Sequence, residues 1–194
     1  MEDNKDNPQS NLSFINNMLL QGVKHSKHPF HQCVVGTLFN DLVNIRTVVL
    51  RKWVLKRRTI MFHTDIRSPK VNEIRQSSNC SLLFYSKPDK LQLRFKCKAH
   101  VHHKNRLTKY LFSQATNSQK QCYRYPLSPS TIISDKTKEI SVNESELVDA
   151  YQNFGVCVCN FYEIDSLFLS QKGHVRLLYE WDKYNNLTTN YLVA

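Results

Sequence analysis

The sequence predicts a mainly β protein with flanking helices, closed as an antiparallel barrel. Three observations carry that expectation. Roughly seven or eight β-type segments follow one another, most of them joined by short turns. Residues 91–102 alternate strictly, with Leu91, Leu93, Phe95, Cys97, Ala99 and Val101 on one face. That two-residue period belongs to a strand half buried and half wet. Turn signals such as Asn40-Asp41 and Pro88-Asp89 separate the runs. Sequential strands with short connections close most naturally on themselves.

Taken in order, residues 1–10 are polar and are expected to form a flexible tail ahead of a single domain over 11–194. Residues 11–24 set Phe14, Ile15, Met18, Leu19 and Val23 at helical spacing, with Asn11 or Ser13 as the cap. Residues 33–39 are short and β-branched, a first strand, and 44–55 form a second beyond the Asn40-Asp41 turn. Arg57-Arg58 turns the chain into a third strand, 59–64. Ser68 is a natural N-cap and Pro69 suits the first helical position, opening a helix to about Gln76 that buries Val71 and Ile74. Residues 80–85 and 91–102 are the fourth and fifth strands. A helix is expected over 105–112, an irregular polar stretch over 113–134, and another helix over 143–154. Strands over 156–169, 175–181 and 187–193 close the chain, the last two as a hairpin about Lys183-Tyr184-Asn185-Asn186.

The bulk composition narrows the function. At 194 residues and 41% hydrophobic, the chain suits one domain with a real core. Only 4 glycines are present, and neither the GxGxxG fingerprint nor the P-loop pattern occurs. The net charge of +11 points towards an anionic partner, or simply a solvated basic surface. No apolar run is long enough for a transmembrane helix. The polar, acidic first ten residues are unlike a secretory leader, so the cytoplasm is the expected compartment. The six cysteines are then expected to be reduced, and no CxxC pair suggests zinc or redox work. Cys157 and Cys159 alternate and are expected to share one buried face.

Two stretches carry chemistry. Arg46-Thr47-Val48-Val49-Leu50-Arg51 is an apolar strand run with an arginine at each end. Residues 61–70 read as a strand that breaks into a helix start bearing Arg67, Ser68 and Lys70. Cations, a hydroxyl and a helix N-terminus gathered there make a seat for a phosphate.

These motifs resemble the pyridoxamine 5'-phosphate oxidase family of FMN-binding split β-barrels. The matching pieces are the Arg46–Arg51 run, Phe62-His63-Thr64-Asp65, Arg67-Ser68-Pro69-Lys70, Leu91-Gln92-Leu93-Arg94 with Lys98-Ala99, and His174-Val175-Arg176-Leu177-Leu178-Tyr179. They occur in family order, from about Val34 to the C-terminus, and the arginine-bounded run resembles a less characterised branch. The resemblance implies a homodimer with FMN in clefts between subunits. It implies that Arg46 and Lys70, with Ser68, hold the FMN phosphate. Thr47, Val48, Val49 and Leu50 would line the flavin through their backbone, with His63 and Thr64 beside them. Gln92 and Arg176 would reach the flavin ring. On the substrate side it implies Arg51, Tyr110 and Ser118 as binding residues and Lys172 and His174 over the reacting carbon. The implied activity is an FMN-dependent oxidoreductase. Hydride passes from a CH–NH2 or CH–OH donor, a small molecule with or without a phosphate group, to FMN, which oxygen then reoxidises. Gln114 and Pro69 stand where the family has arginines, and Leu167 stands near an expected flavin-contacting tryptophan.

Other classes compete. A non-catalytic flavin-binding protein would share the same site. A nucleic-acid binder would use Arg51-Lys52-Trp53-Val54-Leu55-Lys56-Arg57-Arg58 as a basic track with a stacking ring. A hairpin with solvated charges is the preferred reading of that stretch, so nucleic acid is disfavoured. His100, His102 and His103, and His25, His28 and His31, have no carboxylate or cysteine partner at a telling spacing, and no metal is expected.

Overall fold

The computed structural model describes residues 6–134, 147–171 and 173–194. Among them nine strands form one antiparallel sheet. They are β1 (Gln32–Phe39), β2 (Leu42–Val49), β3 (Lys52–Val54), β4 (Thr59–Asp65), β5 (Asn79–Ser86), β6 (Leu91–His103), β7 (Phe154–Phe168), β8 (Val175–Trp181) and β9 (Leu187–Tyr191). The described helices are α1 (Pro8–Lys24), α2 (Pro69–Gln76), α3 (Arg106–Gln114), α4 (Asn117–Gln121) and α5 (Ala150–Asn153).

The order along the ladder is β2-β1-β5-β6-β7-β4-β3, with β8 on β7 and β9 on β8. The hairpin turn between β1 and β2 has both Asn40 and Asp41 at positive φ, as a type I′ turn requires. Strand β7 is shared. One edge pairs with β6 throughout. Its other edge pairs first with β4 and then with β8. The register slips between Lys96 and Cys97, which leaves Tyr162 as the extra residue of a bulge. The two ends of the path, β2 and β3, are consecutive in the chain. Between them Leu50 N donates to His31 O at 2.8 Å, and Arg51 N donates to Met61 O at 2.8 Å. These two residues therefore step from one end of the sheet to the other, and they split the strand expected over 44–55.

The inner face holds the core. Leu91, Leu93, Phe95, Cys97 and Ala99 of β6 are buried, as the alternation predicts. Trp53 stacks on Phe161 at 5.1 Å, and Phe95 meets both rings edge-on. Five cysteines, Cys157 and Cys159 among them, are buried and free, while Cys122 is exposed. Burial pushes the Cys33 and Cys157 thiols up to about 12, so neither supplies a thiolate near neutrality.

Helix α1 lies against this core through Ile15, Met18 and Leu19. It starts at Pro8 instead of residue 11, because Asn7 caps it by accepting from Gln9 N and Ser10 N. Asn11 is not a cap. It is buried and accepts from Tyr179 OH at 3.0 Å and Ser166 Oγ at 3.2 Å. Gly22 permits the close approach of α1, since a Cβ there would lie 2.5 Å from the Phe30 carbonyl oxygen. The polar stretch after α3 is not wholly irregular, for Thr116 and Gln119 form a capping box that starts α4. Of the helix expected over 143–154, residues 143–146 lie outside the described residues. The described part is only α5, capped by Asp149, and Phe154 already belongs to β7 opposite Asp65.

Candidate functional site

The hairpin β1–β2 and the β4–α2 corner bring most of the expected phosphate residues together. Ser68 has the extended backbone of a cap, and Pro69 opens α2. Its side chain makes no capping bond, however. Ser68 Oγ instead accepts from Lys70 Nζ at 2.5 Å, and Thr64 Oγ1 is 3.4 Å from the same nitrogen. Thr64 and Ser68 are both buried. Burial holds the Lys70 ammonium below its ordinary pKa; Cys157 works against the shift and Arg46 adds to it.

Arg46 reaches the same helix from β2. Its Nη2 donates to Glu73 Oε2 at 2.6 Å, and its Nη1 donates to Thr37 Oγ1. Asn44 Nδ2 donates to Glu73 Oε1 at 2.9 Å, and the Thr37 hydroxyl donates to the same carboxylate. Burial pushes the Glu73 carboxyl up, but the bonds from Thr37 and Arg46 outweigh it and hold the group below the usual carboxylate range. Glu73 is the partner that sequence reasoning missed. Its signal is position: it stands three residues after Lys70, on the same helix face.

Arg67 does not join the seat. It grips Asp65 through Nε at 3.0 Å and Nη2 at 2.8 Å. It also donates to the Tyr125 and Pro126 carbonyls, strapping the chain beyond α4 to the β4–α2 corner. In the run between the two arginines, Val48 and Leu50 are buried, Thr47 is exposed and Val49 is half-buried.

The expected ring partners lie elsewhere on the sheet. Gln92 pairs with Leu167, and Leu167 pairs with Arg176, so the three form a row across β6, β7 and β8. Arg176 donates to Asp165 from Nε at 3.1 Å and Nη2 at 2.9 Å, and to Val193 O at 3.3 Å. Arg94 also pairs with Asp165. Asp165 is a second acid that the motifs did not reveal. No described hydrogen bond or ion pair joins this row to the Arg46–Lys70 cluster within the chain.

On the expected substrate side, Tyr110 stands exposed on α3 and Ser118 lies on α4. His174 is exposed, with its Nδ1 accepting from Ser170 N at 3.1 Å. Lys172 lies outside the described residues. Arg51 Nε is the one buried side-chain nitrogen or oxygen without a partner among the described residues. His63 meets Phe154 edge-on at 4.9 Å, and Tyr123 meets the same ring edge-on at 5.2 Å. Burial, then the Arg51 charge, push the His63 imidazole down to about 4. A histidine held neutral in the folded chain stabilises it fully above the ordinary pKa of about 6.5, and that contribution drains away as pH falls towards 4. A proton NMR titration should accordingly place His63 near 4, and a midpoint near the ordinary value would contradict its burial beside Arg51.

Residues 13–103 match the family model described as pyridoxamine 5'-phosphate oxidase, FMN-binding domain. Over that stretch the chain is similar to the pyridoxamine 5'-phosphate oxidase family. The matched stretch runs from α1 to the end of β6, so it includes Arg46, Lys70 and Gln92 and stops short of Tyr110, Ser118, His174 and Arg176. Solved structures of this kind share the fold. A pyridoxamine 5'-phosphate oxidase-related, FMN binding protein from Nostoc punctiforme is 16% identical with a TM-score of 0.73, covering 94% of this chain and 96% of its own. PhzG from Burkholderia lata, in complex with tetrahydrophenazine-1-carboxylic acid, is 17% identical with a TM-score of 0.72, covering 100% and 97%. General Stress Protein 26 from Bacillus anthracis is 14% identical with a TM-score of 0.51, covering 79% and 93%. A comparison with curated proteins gives no match. No described helix of the chain is long and apolar enough to cross a membrane.

Proposed function

We propose that this chain binds FMN and works as a flavin-dependent oxidoreductase on a small-molecule substrate. The observation that carries the reading is Lys70. It is a half-buried ammonium whose hydrogen bonds, among the described residues, go to two hydroxyls and to no carboxylate, at the start of α2 and beside Arg46. Buried charge is normally paired, so such a group suits an incoming anion. Arg46 spends only two of its N–H groups on Glu73 and Thr37, which leaves the rest of its fork for a phosphate. The donor set therefore fits the FMN phosphate. Thr47, Val48, Val49 and Leu50 would run along the flavin, with His63 and Thr64 next to them.

Gln92 and Arg176 would come from a second subunit, in keeping with the lack of any described hydrogen bond or ion pair between them and the Arg46–Lys70 cluster in one chain. A homodimer is supported by the outer face of β1, β2 and β5. Val43 and Ile45 are each about 70% exposed there. A groove lined by Val34, Gly36, Val43, Ile45 and Leu83 continues that surface. Apolar area of this kind usually marks an interface. The same assembly would complete a closed split barrel about the Leu50–Arg51 crossing.

Bound FMN would supply hydride acceptance from the substrate, with oxygen as the onward acceptor. The chain's part would be to hold and orient: Arg51, Tyr110 and Ser118 at the substrate, and Lys172 and His174 near its reacting carbon. The deciding experiment is to denature the purified protein and chromatograph what it releases. FMN is the expected product. A colourless protein that takes up no FMN, yet binds oligonucleotides with a steep salt dependence, would favour the nucleic-acid class instead.

A further inference from the structure

We propose that Asp165 is a positioning residue for Arg176: it fixes the plane of the guanidinium that meets the flavin ring and, with Arg94, sets the charge beside that ring. This rests on the reading above in taking Arg176 as a ring partner. The grip has two points. Arg176 donates from Nε to Asp165 Oδ1 at 3.1 Å and from Nη2 to Oδ2 at 2.9 Å, while Nη1 donates to Val193 O at 3.3 Å. Two parallel bonds to one carboxylate fix the orientation of a planar fork, which a single bond does not. Among the described residues one N–H on each Nη stays available for a ring partner.

The same carboxylate joins the charges of this face. Arg94 stands directly opposite Asp165 and donates to it from Nη2. The Asp165 side chain keeps 9% of its exposure, against 48% for Arg94 and 23% for Arg176. Arg94 and Asp165 also line the groove that Val34, Val43 and Ile45 share, so the trio opens to the outer surface and is not sealed in the core. The other members of the Arg176 row, Gln92 and Leu167, are uncharged. Further along the same face, Lys96 is neutralised by Glu163 at 2.9 Å, and Glu180 stands opposite Glu163. Glu180 is exposed and four residues along β8 from Arg176, roughly 13 Å, so solvent and salt screen it. Among the described residues, Arg94, Arg176 and Asp165 therefore leave one net positive charge beside the row. Reduction puts negative charge on a flavin ring, so a positive charge there raises its potential. Removing the Asp165 charge leaves two uncompensated cations, and removing the Arg94 charge leaves none.

The test uses the full chain loaded with FMN, its reduction potential read by equilibration with a reference dye. FMN content and the urea midpoint are measured alongside. His174 lies two residues before Arg176, so the measurement is made at about pH 8, above the ordinary imidazole range. Asp165→Asn should shift the two-electron equilibrium at least about tenfold towards reduced flavin, a rise of about 30 mV. Arg94→Gln should shift it at least about threefold the other way, a fall of about 14 mV. Asp165→Glu keeps the charge and should stay within about twofold of wild type. A residue that only tied the strands together would lower the urea midpoint and leave the potential of the retained flavin unmoved. Unmoved potentials, or both charge-removing variants shifting in one direction, overturn the proposal. If Asp165→Asn does not fold, Arg94→Gln decides, and a potential that fails to fall is the overturning result. Wild-type protein that takes up no FMN sinks the flavin reading and this inference with it. An FMN-bearing protein whose potential ignores both changes sinks this inference alone.

Discussion

Replacing Arg46 by alanine should cost about 3 kcal/mol of folding stability as well as weakening the hold on FMN. The figure sits at the lower end of what breaking a buried ion pair costs, because the Arg46 side chain keeps 22% of its exposure while Glu73 keeps 6%. Most of the loss comes from the carboxylate left behind. Adding Glu73→Gln to Arg46→Ala should therefore recover a large part of it, a non-additivity that urea denaturation can read directly. The pH dependence has a definite sign. Glu73 titrates below its ordinary value when folded, so its stabilisation is present above the unfolded carboxyl pKa of about 4.3 and is lost as pH falls through the lower folded value. The gap between wild type and Arg46→Ala should thus narrow in acid. A gap that stays constant to about pH 3 would mean that Glu73 is not the group left stranded. Lys70→Ala is the cleaner probe of the cofactor seat. Among the described residues Lys70 bonds only hydroxyls, so its loss should empty the protein of FMN with little effect on folding. Combining Lys70→Ala with Arg46→Ala would mix the two effects.

Phe161→Ala should be the most damaging single change in the core, at about 3–5 kcal/mol. Phe161 is 1% exposed and lies flat on Trp53, with Phe95 at 5.4 Å and Trp181 at 5.5 Å. Its amide also donates to Arg58 O at 2.9 Å, so the backbone there is pinned and cannot collapse to fill the void. The loss should appear as a lower denaturation midpoint at unchanged slope, together with a shift in tryptophan fluorescence, since both tryptophans touch the ring. A cost below about 1 kcal/mol would show that the aromatic cluster repacks freely.

Much of the sheet was legible because strand patterning is local. The alternation of residues 91–102 and the Asn40-Asp41 turn need only neighbours in sequence to be read. What escaped depends on partners far along the chain. The strand expected over 44–55 breaks because Leu50 and Arg51 bond to different segments, His31 and Met61, which no periodicity encodes. Ser68 looked like a cap, but a lysine two residues on claims its hydroxyl. Arg67 looked like a phosphate ligand, but Asp65 two residues before it and two distant carbonyls take its donors. For the candidate site, the basic residues were visible in the motifs, and the acids that discipline them were not. Glu73 and Asp165 each emerge only when folding brings an arginine from a separate strand onto them.

The shared strand β7 has a consequence for how the chain comes off the ribosome. Thr59 waits for Asn160, 101 residues later, and the whole inner edge of β6 waits for the same strand. The segment that matches the family model ends at residue 103, before that strand exists. Made alone, it would present two raw sheet edges and an uncovered apolar face, the template on which chains stick to one another. The recognisable half is thus a signature without autonomy. The chain must be made through Phe168 before the strands of its first half can all pair, which makes slow, late-committing assembly a built-in property of this topology.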